Sequence, residues 1–333
     1  MTATFITPVK LHAQIERWPL TEPFRISGYL FEVLEVLVVT LEYAGHEGRA
    51  EAAGVYYRKD LPANMIAQVE SVRQRVEAGI DRASLQSILP AGGARNALDC
   101  ALWDLEAKIL RKPVWELAGL DAPKPIMTTF GCGVDTPERM AQTARGYTHA
   151  RAIKIKLAGD ALDARRVATV REARPDVWLG VDANQGFSRP FFSDLLPSLL
   201  EARVELIEQP FPVGREDLLV GLESPIAVAA DESAQGLESI AKLEGKVSVI
   251  NIKLDKCGGL SEALQMARKA RELGIRPMVG NMIGTSLAMA PAFLVAQFCD
   301  VVDLDGPLFL KSDRSLHVEY TDGKIVCCDG VWG

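Results

Sequence analysis

Arg151-Ala152-Ile153-Lys154-Ile155-Lys156-Leu157 is the stretch whose reading decides the fold. Ile153, Ile155 and Leu157 alternate with Ala152, Lys154 and Lys156, the period of two expected of a strand. That alternation puts both lysines on one face. A parallel strand covered on both sides has no wet face, and two inward ammonium groups are costly unless polar groups meet them. An edge strand with a solvated side accounts for a lone K-x-K just as well. The same conflict recurs at four later apolar runs and just past a fifth, and this repetition favours a polar interior site.

Working outward, Asp121-Ala122-Pro123-Lys124-Pro125 breaks both regular structures and is the best boundary in the chain. Eight short apolar runs follow it, at 126–131, 151–157, 177–183, 204–209, 226–231, 247–254, 276–280 and 301–304, with helical stretches between them. Such repeated β-α units predict an α/β fold, a TIM-type barrel over residues 121–313. The competing doubly wound sheet lacks a G-x-G-x-x-G after its first strand. Residues 1–120 read as an α+β domain, with strands at Lys10–Ile15 and Val33–Leu41 and helices at Asn64–Ala78 and Ala94–Leu110. The second helix has an amphipathic pattern. Two irregular, aromatic-rich stretches, Thr21–Tyr29 and Gly54–Lys59, lie between these elements. The tail forms a β-hairpin about Asp322-Gly323, and residues from about 314 to 333 are assigned to the first domain as a C-terminal return.

With 333 residues and 48% hydrophobic content there is material for a large core, and the net charge of −7 argues against a nucleic-acid surface. No signal-peptide pattern opens the chain and no run approaches a membrane span. The six cysteines show no C-x-x-C spacing and suit a reducing cytoplasm, so a cytoplasmic location is expected.

In a barrel, chemistry collects at the C-terminal ends of the strands. Read in order, those ends carry Lys154 and Lys156, Asp182 and Asn184, Glu208, Asp231, and then Lys253, with Asp303 and Asp305 beyond the last strand. An acid at a strand-to-helix junction is more often a helix cap than a reagent, and Glu232-Ser233 reads as capping or supporting. Asp182, Glu208 and Asp231 together would repel one another without a cation. Three convergent oxygen ligands suit Mg²⁺, with Mn²⁺ or Ca²⁺ as alternatives. Zinc is disfavoured, because none of His12, His46, His149 or His317 falls at a strand end. Lys156 and Lys253 come from strands two and six, opposite each other across eight. A substrate carbon between them meets one amine on each face, so a proton removed on one side can return on the other. A lysine base needs a lowered pKa, which burial beside a metal and another lysine would supply.

Steps of 26, 26, 23 and 22 residues separate Lys156, Asp182, Glu208, Asp231 and Lys253, and this ordered set resembles the muconate-lactonizing subgroup of the enolase superfamily. The resemblance covers nearly the whole chain and implies an α+β capping domain before a modified (β/α)7β barrel. It implies Lys156 and Lys253 as the acid/base pair, Lys154 as electrostatic support for a bound carboxylate, and Asp182, Glu208 and Asp231 as Mg²⁺ ligands. That combination of lysine base and Mg²⁺ is a known pattern of the superfamily. Asp303-Leu304-Asp305 is similar to the D-x-D motif of dipeptide epimerases, where the acids hold the substrate's α-ammonium group. Residues 88–99 and 251–260 are similar to stretches of bacterial L-alanyl-D/L-glutamate epimerases.

Two departures bear on the substrate. Tyr29 stands near the place where some members specific for acidic dipeptides carry an arginine, with Arg25 close by, and Gly131 stands where relatives often carry a threonine. The expected partner is a small molecule, a dipeptide, with no nucleic acid or membrane and with room for a homo-oligomer. Cycloisomerase or o-succinylbenzoate synthase chemistry is the alternative on the same lysines, but those substrates offer no ammonium to Asp303 and Asp305. A sugar-acid dehydratase usually needs a histidine near strand six or seven, and Val279-Gly280-Asn281-Met282 has none.

Overall fold

The computed structural model describes residues 8–26 and 29–333; the side chains of Arg25, Ile26 and Tyr29 lie outside the described residues. The chain opens with an antiparallel sheet of β1 (Lys10–Ile26), β2 (Tyr29–Tyr43) and β3 (His46–Ala52). Both β1 and β2 outrun their apolar patterns. The irregular Thr21–Tyr29 stretch is largely strand, because β1 and β2 resume pairing at Phe24↔Phe31 after a register break at Pro19. At that break β1 turns to the barrel instead: Leu20 bridges Leu310, and the Lys311 amide donates to Pro19 O at 2.9 Å.

Three helices cover this sheet, α1 (Pro62–Glu77), α2 (Arg82–Ile88) and α3 (Gly93–Leu110). The amphipathic reading of α3 is corrected, since every residue from Gly93 to Ala107 is buried. Its polar side faces protein rather than water. Asp99 accepts from Ser261 N at 2.9 Å and Ser261 Oγ at 2.6 Å, and Glu106 takes both arms of Arg82 at 3.1 Å. One apolar core therefore runs from β2 and β3 through α3 into the barrel helices Leu260–Glu272 and Ser286–Ala296.

The first predicted barrel run is split. β4 (Ile126–Met127) leaves to pair with the C-terminal hairpin of β13 (Glu319–Thr321) and β14 (Lys324–Val326), and the barrel begins at β5 (Thr129–Cys132). The hairpin turns through left-handed Asp322 and Gly323, as expected for that dipeptide. The other seven runs are β6 (Ala152–Lys156), β7 (Trp178–Asp182), β8 (Leu206–Glu208), β9 (Ala227–Ala230), β10 (Val249–Ile252), β11 (Arg276–Gly280) and β12 (Val301–Asp303). Each is parallel to its sequence neighbour, giving the order β12-β11-β10-β9-β8-β7-β6-β5. The sheet closes through Thr128, whose hydroxyl accepts from Leu304 N at 2.9 Å, and through the Thr129 hydroxyl, which donates to Asp303.

Period-two alternation then layers the interior. Leu206, Ala229, Val249 and Met278 form an apolar floor. Two residues further along, their strands carry Glu208, Asp231, Asn251 and Gly280. All six cysteines are free, and no helix among the described residues is long and apolar enough to cross a membrane.

Candidate active site

At the strand ends the predicted side chains meet. The register sets Lys156 beside Asp182 and Asp182 beside Glu208, so neighbouring strands deliver their charges at one height. Lys154 Nζ is bonded to Glu208 Oε2 at 2.9 Å and to Asp303, and stands 3.9 Å from Asp182. Lys156 Nζ meets Asp182 Oδ2 at 2.5 Å, and Lys253 Nζ meets Asp231 Oδ2 at 2.7 Å. Lys154, Lys156 and Lys253 line one cavity of about 330 Å³, with Asp231, Asp303 and Asp305 in its wall.

Backbone distortion follows the acids directly. Asn184 and Gln209, just past Asp182 and Glu208, hold left-handed φ values of 42° and 38°. Such non-glycine strain persists where the surroundings over-determine it. Asn184 N donates to Asp182 Oδ1 at 2.9 Å. Gln209 bonds through both amide atoms, accepting from Asp231 N at 2.9 Å and donating to Phe211 O at 2.8 Å.

Three residues absent from the predicted site belong to it. Lys256 is fully buried and donates to Asp231 Oδ1 at 2.5 Å and to Asn251 O at 3.0 Å. Asn251 Nδ2 donates to Glu208 Oε1 at 2.7 Å. Glu232 was read as a cap or support, but its buried Oε2 has no partner among the described residues and it lines the cavity. The missed signal is the change of period after Ile252. The strand stops there and the helix Leu254–Cys257 begins, which swings Lys256 back under Asp231.

The electrostatics follow from crowding. Among the described residues six carboxyl groups (Asp182, Glu208, Asp231, Glu232, Asp303, Asp305) face four lysines (154, 156, 253, 256), so some of the acids are pushed towards their protonated form. Burial, then the charges of Asp182 and Asp231, raise the Glu208 carboxyl. Burial and Asp231 push Glu232 up to about 8. Burial opposes charge on Asp231, yet Lys253 and Lys256 hold it well below the carboxylate range. The lowering of Lys253 is expected beside a bound metal ion; among the protein groups alone the balance is different. Burial alone would lower it, but the Asp231 and Glu208 carboxylates outweigh burial and hold the ammonium well above the lysine range. Among the described residues no three acidic or histidine groups converge on a metal-sized point, because the lysines interpose.

Asp303 and Asp305 both reach the cavity but differ in their partners. Asp303 is taken up by Lys154 and Thr129. Asp305 accepts from Gly131 N at 2.5 Å and sits 3.5 Å from Asn281 Nδ2, both neutral donors. It precedes the turn Gly306–Phe309 without capping it. Burial, then Asp303, push it up to about 7. Gly131 is explained by this contact, since a Cβ there would lie 2.8 Å from Asp305 Oδ2 and 3.1 Å from the Phe309 ring. The N-terminal sheet and its loops supply a largely apolar part of the lining, with Leu20, Phe24, Leu34, Tyr56 and Tyr57, and the charged Arg17 and Glu35 beside them. The predicted Arg25 and Tyr29 side chains lie outside the described residues.

An eight-stranded parallel barrel with acids and lysines at its strand ends, capped by an antiparallel sheet, defines the class, and the chain belongs to the enolase superfamily. Residues 137–330 match the family described as Enolase C-terminal domain-like, and residues 10–119 match the Mandelate racemase / muconate lactonizing enzyme N-terminal domain. Within it the chain is 37% identical to the L-Ala-D/L-Glu epimerase of Escherichia coli (strain K12), across 93% of this chain and 97% of that protein. It is 40% identical to an N-acetyl-D-glutamate racemase of Pseudoalteromonas sp, across 76% and 80%. An enolase family member from Agrobacterium tumefaciens, crystallised with sodium and L-Ala-L-Glu, superposes with a TM-score of 0.94 at 37% identity, covering 98% of this chain and all of that one. The dipeptide epimerase of Methylococcus capsulatus, complexed with Mg and L-Arg-D-Lys, gives 0.91 at 30% identity, covering 98% and 99%.

Proposed function

We propose that this chain is a dipeptide epimerase that inverts the α-carbon next to the free carboxylate, moving a proton between Lys156 and Lys253. The observation that carries this reading is the pair itself. Lys156 at the end of β6, half-buried, and Lys253 just past β10, buried, stand four strands apart in an eight-stranded barrel and line one cavity with carboxylates between them. One amine removes the α-proton from its face, and the ammonium opposite returns a proton to the other.

By donor chemistry Asp182, Glu208 and Asp231 suit a Mg²⁺ ion, with Lys154, Lys156 and Lys253 standing between them in this structure. They form an all-oxygen set without histidine, and Glu208 is raised by the charges of the other two, a repulsion that a divalent ion would relieve. When bound, that ion stabilises the negative charge developing on the substrate carboxylate. Lys253 as found is an ammonium, which suits the acid half of the reaction; the base half requires the neighbouring acids to be neutralised. Lys154 remains buried beside Glu208 and supports the bound carboxylate.

Asp305 is assigned to the substrate ammonium. With only neutral donors among the described residues it has the capacity that Asp303, already paired with Lys154, lacks. The particular dipeptide L-Ala-D/L-Glu is carried over from the E. coli relative. A second reading, racemisation of an N-acylated amino acid, uses the same lysines and is favoured by the Pseudoalteromonas relative. Incubation in D₂O with Mg²⁺, a dipeptide library, its N-acetylated counterparts and a set of N-acetyl amino acids separates the two by mass spectrometry. Deuterium is expected in free dipeptides and little in either acetylated set. Equal uptake in free and acetylated compounds would remove the role of Asp305 and the dipeptide assignment with it.

A further inference from the structure

The cavity wall facing the lysines is tied down by carboxylates that the proposed reaction does not use. Ala53, Gly54, Tyr56 and Tyr57 form part of that wall. Gly54 N donates to Asp255 Oδ1 at 2.8 Å, and Asp255 lies two residues beyond Lys253. There is no slack at this point. Gly54 has φ +75°, and a Cβ there would lie 2.1 Å from Asp60 O and 2.9 Å from Met65 Sδ.

Three residues earlier a second anchor is Glu51, which is 2% exposed. Glu51 accepts from Thr285 N at 2.7 Å, from the Thr285 hydroxyl, and from Arg314 at 2.6 and 3.0 Å. Thr285 closes the loop carrying Asn281, Met282 and Ile283, all of which line the cavity, and Asn281 faces Asp305. The start of the wall is therefore fastened twice, at Glu51 to the loop that follows β11 and at Gly54 to the turn that follows Lys253.

Asp255 is an expensive choice for a simple fastener. It is 6% exposed and has no ion pair among the described residues. Burial pushes it up to about 7; the Gly54 amide pulls it back, and the charges of Asp60 and Glu51 raise it again. A buried carboxylate among like charges lowers stability, so holding Gly54 must be worth more to the site than to the fold.

We propose that Asp255 is a positioning residue, which fixes the Ala53–Tyr57 wall at a set distance from Lys253 and so seats the substrate side chain against a rigid surface. The role rests on the proposed epimerase reading, and the experiment separates the two. Hydrogen exchange of the peptide covering residues 53–60, which needs no substrate, is compared in the wild type, Asp255→Ala and Asp255→Asn. Asp255→Ala is expected to speed exchange in that peptide selectively. On dipeptides, its KM should rise about tenfold or more, the scale of one buried amide losing its acceptor, while kcat changes less than about threefold. Asp255→Asn keeps an acceptor for Gly54 and is expected to restore both readouts, with a higher Tm than the wild type. Asp255→Ser, whose hydroxyl is too short to reach, should behave as the alanine variant.

Unchanged exchange at 53–60 in Asp255→Ala overturns the proposal, as does an asparagine variant as impaired as the alanine one, or a fall in kcat without a rise in KM. Failure of both the alanine and serine variants to fold would make Asp255 a folding residue and also overturn it. A protein that turns over no dipeptide but shows the exchange pattern would refute the epimerase reading and leave the anchoring of the wall intact.

Discussion

This molecule buries charge in two places, and the two behave differently. Along α3, Asp99, Asp104 and Glu106 are sealed inside the protein, and protein donors meet each of them. Asp104 accepts from Arg49 N at 2.7 Å, Lys108 at 2.8 Å and Gly333 N at 2.8 Å, while Glu106 holds Arg82 with both oxygens. Among the described residues at the strand ends, acids outnumber cations, Glu232 keeps an unpartnered oxygen, and the groups open on a cavity. Buried charge alone does not identify a reactive site. Imbalance together with space does.

The largest test of this contrast is activity. Lys156→Ala and Lys253→Ala are each expected to lower net epimerisation by about 10²–10⁴-fold, the usual range for a lost acid or base. Asp104→Asn and Glu106→Gln along α3 should stay within a few fold of wild type in kcat/KM. Loss of activity from the α3 variants without loss of fold would erase the distinction.

Metal comes next. EDTA is expected to abolish turnover reversibly, and Mg²⁺ at about 100 times its Kd should add roughly 2.7 kcal/mol of stability. Asp182→Asn, Glu208→Gln and Asp231→Asn should each remove that Tm increment in calorimetry, and α3 variants should keep it. Full activity after exhaustive chelation would contradict the ligand assignment.

Much of this site was legible because strands impose a period of two. Lys154, Lys156, Asp182 and Glu208 could be placed on the inner face from spacing alone. Where the period changed, legibility ended. Lys256 was missed because the helix after Ile252 starts within a few residues, and Asn251 because a neutral amide creates no visible conflict in an apolar strand. The split at Thr128 was hidden inside one apolar run, since pairing with the C-terminal hairpin depends on a partner some 200 residues away. α3 shows a deeper limit. A polar stripe facing Ser261 and Arg82 has the same sequence pattern as one facing water, so period gives the stripe and not its surroundings.

Stability separates the regions by sign. Asp99→Ala strips the Ser261 amide of its acceptor and should cost about 1–3 kcal/mol in denaturant unfolding. Asp305→Asn keeps an acceptor for Gly131 while removing repulsion from Asp303, and should be neutral or stabilising.

Asp99 also sets a pH slope, which is shallow at any one pH because it is spread over about two units. Burial raises Asp99 to about 6 against the hydrogen bonds from Ser261. A carboxyl raised in the folded state keeps its proton after the unfolded chain has lost it. Between roughly pH 4 and 6 the folded state thus binds more protons, and stability falls as pH rises, by about 3 kcal/mol in all. Asp99→Asn should flatten that part of the profile, and an unchanged slope would remove Asp99 as its source.

The account stands most directly on one measurement, α-proton exchange by the single lysine variants with each pure epimer of a reactive dipeptide, followed by proton NMR in D₂O with Mg²⁺. If Lys156 and Lys253 face opposite sides of the α-carbon, each variant should exchange the proton of one epimer only, and the two variants should choose opposite epimers. Exchange of both epimers by both variants, or loss of the same epimer in each, would contradict the two-lysine account.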